Sequence, residues 1–236
     1  MNLSEKNFNK IFHLFLYLIP VLMIFRKPCT LFIILFAVFN VMFLKRLKFD
    51  KTALILIVCI ASPLLLELLL FWNNDSLSKG LKALEKSTSL ALFPVFIIGN
   101  YQRVNFIKLI RIYSLCTTLV ILFFFARFNI IYPELVSKYL NRIDLFEAGY
   151  KFAESIGIHA PALNMHLAFV SVCTLYFVFY SFKNRQKLGI KILCLIGFLL
   201  SFFFVLFVNT RMALLGVLVG FCIVFFFFAG KFMSSL

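Results

Sequence analysis

Residues 190–209 read IKILCLIGFLLSFFFVLFVN, and residues 212–229 read MALLGVLVGFCIVFFFFA. Each run is close to the roughly 20 residues that a helix needs to cross the hydrocarbon core of a bilayer. Both runs are continuous rather than alternating, so they favour helices over the strands of a membrane barrel. Only Thr210 and Arg211 separate them. We therefore predict two consecutive transmembrane helices joined by a tight turn.

The whole chain has the same character as this pair of runs. Of its 236 residues, 63% are hydrophobic and 14% are charged, whereas soluble domains have about 45–50% and about 25%. We predict an all-α, polytopic integral membrane protein, with residues 1–236 forming a single transmembrane domain. Hydropathy places about eight spans, at 11–25, 29–44, 52–72, 88–99, 112–131, 160–182, 190–209 and 212–229.

The distribution of Lys and Arg predicts the orientation. With the amino terminus in the cytoplasm, more of these cations fall in inner than in outer segments, which is the usual bias. The run 11–25 ends in Arg26-Lys27-Pro28 without a small-residue cleavage site, so we expect an uncleaved first helix rather than a signal peptide. Residues 73–89 fit an amphipathic interfacial helix, and residues 132–158 form the largest hydrophilic segment, predicted to be outside.

Several function classes find no support. The net charge of +15 suits loops between spans and anionic lipid rather than nucleic acid. The six cysteines lie in apolar stretches without C-x-x-C spacing, so we expect neither a disulfide framework nor a metal site. We find no motif for nucleotide hydrolysis or zinc proteolysis, and we expect no cofactor. Gly216 and Gly220 form a G-x-x-x-G packing pattern.

Five ionisable residues stand near the predicted outer ends of spans, and such groups are costly in a membrane. They are Glu67, Arg127, His159, His166 and Arg211. Because all five lie toward the same predicted face of the membrane, we expect an outward-facing polar cavity. Alternatives remain for each of them: Glu67 and Arg127 pair with each other or reach the interface, His166 is a packed histidine, and His159 is an ordinary loop residue.

Arg211 is the strongest functional candidate. It opens the last predicted helix, where the helix dipole disfavours a cation, and Thr210 can cap that helix. An arginine there gains little for helix stability but is well placed to hold a phosphate beside the helix amides. The alternative is that Arg211 anchors the helix end to lipid headgroups.

Three stretches resemble the O-antigen ligase and polymerase superfamily. Residues 209–216, NTRMALLG, resemble the polar-residue-then-Arg motif that opens a core helix of that family. Residues 89–96, SLALFPVF, are similar to its Phe-Pro segment, and residues 159–175 resemble the helix after its variable outer loop. Family members are bacterial inner-membrane enzymes that transfer or polymerise undecaprenyl-diphosphate-linked glycans at the periplasmic face, without nucleotide or metal.

The resemblance implies that Arg211 engages the lipid-linked diphosphate. For such a transfer we expect Arg211 and Arg127 to stabilise the diphosphate as it leaves, and His159, His166 and Glu67 are the candidate bases that would deprotonate the acceptor. Family members have ten or more spans and a large periplasmic loop after the Arg helix, so we expect this chain to be a truncated member or a fragment. Two other hypotheses stay open: a transporter or flippase component for an anionic lipid or solute, and a non-catalytic remnant.

Overall fold

The computed structural model of the protein describes residues 4–143 and 145–233. Within these ranges every regular element is a helix. The chain divides into two compact units, Met1–Phe106 and Ile107–Leu236. Asp144 belongs to the segment 132–158, which we predict on the outer side of the membrane, and it is not among the described residues.

The described residues of the first unit form four α-helices. They are α1 (Glu5–Leu22), α2 (Arg26–Met42), α3 (Lys51–Leu69) and α4 (Leu77–Ile98). A short turn joins α1 to α2, and a 3₁₀ turn follows each of α2, α3 and α4. Side-chain caps explain three of the starts: Ser4 accepts from the amide of Asn7, Asp50 from that of Ala53, and Ser76 from that of Lys79.

In the second unit the described residues form six α-helices. They are α5 (Phe106–Ile131), α6 (Pro133–Leu140), α7 (Leu145–Ser155), α8 (Ala160–Lys183), α9 (Leu188–Val208) and α10 (Arg211–Met233). The prediction of an all-helical membrane protein agrees with these elements, because five helices of the described residues are long and apolar enough to cross a bilayer: α3, α5, α8, α9 and α10. Within α2, Pro28–Met42 is a shorter apolar helix. The total of eight spans and the cytoplasmic position of the amino terminus stay predictions.

Helix α4 differs from the sequence-based expectation. The sequence suggests an interfacial helix at 73–89 followed by a separate span at 88–99, whereas α4 runs without a break from Leu77 to Ile98. Thr88, at the expected boundary, donates its hydroxyl to the carbonyl of Leu84 one turn back. Pro94 is accommodated inside the helix. The polar side chain at the boundary therefore forms its hydrogen bond within the helix and does not end it.

A polar cluster around Arg103 holds the helix ends of the first unit together. Arg103 donates from Nη2 to Glu5 Oε1 (2.6 Å), from Nε to Asn9 Oδ1 (3.0 Å) and from Nη1 to Asn100 Oδ1 (2.9 Å). Arg46 donates to the other oxygen of Glu5 at 2.9 Å. The Arg103 hydrogen bond is the main reason that the pKa of Glu5 lies below its ordinary value.

The cluster continues inward through two buried asparagines. Asn100 Nδ2 donates to Asn40 Oδ1 at 3.1 Å, and Asn40 Nδ2 donates to the carbonyl of Phe36. The guanidinium carbons of Arg46 and Arg103 lie 4.8 and 5.3 Å from the ring centre of Phe8. The cluster thus joins α1, α2 and the turns after α2 and α4, and its arginines serve the fold.

Helix α8 is the core of the second unit. It carries more buried side chains than its neighbours and packs along both α9 and α10. Gly220 of α10 lies so close to Val172 of α8 that a Cβ would clash with that side chain, whereas Gly216 faces open space. Only one glycine of the G-x-x-x-G pattern therefore serves this helix contact.

Helices α6 and α7 pack on the end of the unit instead of forming a free loop. Phe152 of α7 is fully buried and touches Phe128 of α5 and Phe207 of α9. The Tyr139 ring lies 4.8 Å from that of Phe207, and burial raises the pKa of its hydroxyl. Gly149 permits close backbone contact with α9, because a Cβ there would collide with the Phe207 carbonyl. We call this region the α6–α7 end.

Candidate anion-binding site

The turn between α9 and α10 places Arg211. Asn209 adopts a left-handed conformation (φ 51°, ψ 59°) and donates its amide to the Val205 carbonyl at 3.0 Å, which ends α9. Asparagine tolerates this conformation better than most residues. The Thr210 carbonyl accepts from the Leu214 amide at 3.1 Å, so Thr210 occupies the N-cap position of α10. Arg211 is the first residue of α10, and its side chain is exposed.

Asn164 of α8 stabilises this turn through two hydrogen bonds. It is fully buried and donates from Nδ2 to Thr210 Oγ1 at 3.0 Å and to the Val205 carbonyl at 3.3 Å. One amide thus binds both the last turn of α9 and the residue just before α10. The backbone that carries Arg211 is held by three helices.

Arg211 takes part in no ion pair of the described residues. The first amides of a helix lack intrahelical acceptors and favour an anion at that point. A guanidinium beside such amides provides a planar set of donors that suits phosphate oxygens.

Arg127 lies at the same end of the second unit, near the end of α5. Its side chain is exposed and lines a small cavity of about 100 Å³ with Tyr132 and Ser155. No ion pair among the described residues includes Arg127 either. Two acids of the α6–α7 segment have other partners, since Glu147 faces Lys138 at 3.8 Å and Glu154 faces Lys151 at 2.8 Å.

The two candidate histidines have different surroundings. His159 is exposed at the N-cap position of α8, and its carbonyl accepts from the Leu163 amide at 3.0 Å. A three-residue turn separates it from α7, so it lies at the α6–α7 end. His166 is two turns deeper and half-buried, with Nδ1 3.0 Å from the Tyr113 hydroxyl of α5. The packed-histidine alternative fits His166, and the alternative that His159 is an ordinary loop residue stays open.

Glu67 belongs to the first unit. It lines an open depression with Lys79, Lys82 and Ser87, between the end of α3 and the start of α4. Its carboxylate therefore has lysines nearby in its own unit. The predicted clustering of Glu67 with the residues of the second unit stays a prediction.

Among the described residues, no group of three His, Cys, Asp or Glu side chains comes close enough to hold a metal ion. No family model, curated protein or solved structure matches the chain.

Asn164 is the site residue that sequence reasoning does not identify. In the sequence it is only one residue of a helix that starts near residue 160. A signal is present, because an amide side chain inside an apolar span is costly unless a neighbouring helix satisfies it. That cost predicts a helix contact at Asn164, although it does not name Thr210 as the partner.

Proposed function

We propose that the protein transfers or polymerises an undecaprenyl-diphosphate-linked glycan at the periplasmic face of a bacterial inner membrane. The observation that supports this proposal most is the Arg211 turn: an exposed guanidinium at the start of a helix, on a backbone locked by Asn164 and without a carboxylate partner in the described ranges. Such a site suits the diphosphate of a lipid carrier, because it is rigid, cationic and at a helix end.

The proposed reaction is a displacement at the anomeric carbon of the lipid-linked sugar. The acceptor hydroxyl oxygen forms the new bond to that carbon, and the carbon–oxygen bond to the diphosphate breaks. The bonding electrons leave with the diphosphate, whose growing charge is stabilised by Arg211 and Arg127. The hydroxyl proton passes to a base. Of His159, His166 and Glu67, we favour His159, because it is exposed at the same end as Arg211.

The transfer assay tests this proposal with Arg211→Ala. Losing one preorganised contact to developing charge typically lowers a rate by about 10²–10³, so we expect that loss in membranes carrying the variant. Arg142→Asn is the matched control, because it removes an exposed cation at the same end and asparagine tolerates the φ of 60° at that position. Equal transfer by wild type and Arg211→Ala, at equal protein levels, would refute the proposal.

The proposal also requires the α6–α7 end to face the periplasm. Lys138 of α6 and Arg185 of the α8–α9 turn are both exposed and lie at opposite ends of the second unit. In a background without native cysteines, a membrane-impermeant thiol reagent added from the periplasmic side should label Lys138→Cys and leave Arg185→Cys unlabelled. The reverse pattern would place Arg211 in the cytoplasm and exclude periplasmic transfer.

A second candidate function is transport of an anionic solute or lipid. In α8 the Ser171 hydroxyl and the side-chain oxygen Oδ1 of Asn164 are buried without a partner among the described residues, although unsatisfied polar groups are expensive in a membrane. A hydrated path along α8 would satisfy them. Proteoliposomes that move the lipid-linked substrate across the bilayer without transferring its glycan would favour this function.

A further inference from the structure

We propose that the second unit has a binding site for an anionic phospholipid in a groove between α5, α8 and α9, at the end opposite the α6–α7 end. The groove has a volume of about 380 Å³, within the range of about 300–1,000 Å³ for sites that bury small ligands. It extends about 15 Å along α9, at roughly 1.5 Å per residue. Its walls are mostly apolar and include Leu115, Leu119, Ile190, Leu193, Ile196 and Leu200.

The mouth of the groove is cationic and polar. Arg111 of α5 lines it together with Tyr180 and Gln186, and the Arg111 guanidinium carbon lies 5.2 Å from the ring centre of Phe177. Stacking on Phe177 holds the planar group in place while its side chain remains exposed. Within the described part of the chain no acidic residue lines the groove, so an anionic headgroup is the complement of this mouth.

A buried hydroxyl inside the groove is the second sign of a ligand. Ser114 lines the groove and is 2% exposed, and its Oγ has no partner among the described residues. Positions 111 and 114 are three residues apart and share one face of α5. A lipid whose phosphate meets Arg111 brings its glycerol ester oxygens to the level of Ser114. The apolar walls then take an acyl chain.

Gly197 of α9 offers a way to fill the groove. It lines the groove, and the nearest atom to a Cβ built there is Thr174 Cγ2 at 3.9 Å. Gly197→Leu therefore introduces a side chain into the space proposed for the acyl chain. Gly216→Leu is the matched control, because Gly216 is exposed on α10 and a Cβ added there would meet no atom of the described residues within 4 Å.

The test reconstitutes the protein in vesicles of equal parts phosphatidylethanolamine and phosphatidylglycerol, extracts it gently and counts retained lipids by native mass spectrometry. Wild type and Gly216→Leu should retain phosphatidylglycerol preferentially, and Gly197→Leu should lose it. Arg111→Gln should lower the ratio of phosphatidylglycerol to phosphatidylethanolamine by about five-fold, as expected for one cation at a membrane surface.

Two results would overturn the proposal. One is equal retention of the two lipids by wild type, which would remove the role of Arg111. The other is unchanged retention by Gly197→Leu relative to Gly216→Leu, which would place the lipid outside the groove. If Gly197→Leu unfolds, the lipid ratio of Arg111→Gln decides, since that exposed residue can be replaced without filling or emptying the core.

Discussion

The arginines at the ends of the two units differ in their exposure and in their bonding partners. In the first unit, Arg46 and Arg103 share the carboxylate of Glu5, and Arg103 also donates to two asparagines. In the second unit, Arg127 and Arg211 are exposed and belong to none of the ion pairs within the described ranges. The α6–α7 end of the second unit packs through phenylalanine contacts, and the ion pairs of its described residues join lysines to glutamates.

This difference separates structural arginines from candidate binding arginines. An arginine whose donors are occupied by a carboxylate and amides has little left for a ligand, and removing it leaves partners unsatisfied. An exposed arginine on a rigid backbone can be removed without that penalty. We therefore expect substitutions in the Arg103 cluster to change stability, and substitutions of Arg211 to change transfer.

The largest expected effect concerns the aromatic packing of the α6–α7 end, where Arg127 and Arg211 lie. Phe152→Ala should lower the free energy of unfolding by about 3–5 kcal/mol, as is usual for a fully buried phenylalanine. Phe146→Ala, on the same helix but 55% exposed, is the control and should have little effect. Denaturant titration in mixed micelles measures both, and equal losses would show that α7 is not held by its buried ring.

The next effect concerns the Arg103 cluster. Arg103→Ala removes donors to Glu5, Asn9 and Asn100 and should destabilise the protein by about 2–3 kcal/mol, since hydrogen bonds of charged groups are among the stronger ones. A double-mutant cycle with Glu5→Gln measures the coupling between the two side chains. Strict additivity in that cycle would contradict the pairing.

The same cluster predicts a smaller pH dependence. Because the pKa of Glu5 is lower in the folded protein than its unfolded value of about 4.3, ionised Glu5 stabilises the protein above that value. The stabilisation is lost as the pH falls through the folded pKa. The thermal midpoint of wild type should exceed that of Glu5→Gln at neutral pH and approach it in acid. A constant difference across the range would contradict this assignment.

The sequence is most informative where composition alone determines structure. The runs at 160–182, 190–209 and 212–229 predict the starts of α8, α9 and α10 to within about two residues, because long apolar segments must form helices in a bilayer. The sequence is less informative for α4, where charged residues precede an apolar stretch. Hydropathy divides such a segment in two, whereas the helix continues through it.

Long-range polar contacts could not be predicted. Arg103 and Glu5 are 98 positions apart, and Asn164 and Thr210 are 46 apart, so no local periodicity connects them. Arg211 stands out in the sequence because its position at a helix start is unfavourable for a cation. Arg103 is only one of several inner cations there, since its value to the fold depends on partners brought by other helices.

The division between binding and structural arginines is tested most directly by comparing Arg211→Lys with Arg103→Lys under the same conditions. Both the transfer rate per folded molecule and the thermal midpoint are measured. Lysine keeps the charge but loses the planar set of donors. We expect Arg211→Lys to lose much of the transfer rate at an unchanged midpoint, and Arg103→Lys to lower the midpoint while transfer per folded molecule persists. Wild-type transfer by Arg211→Lys would contradict the claim that this arginine grips a diphosphate.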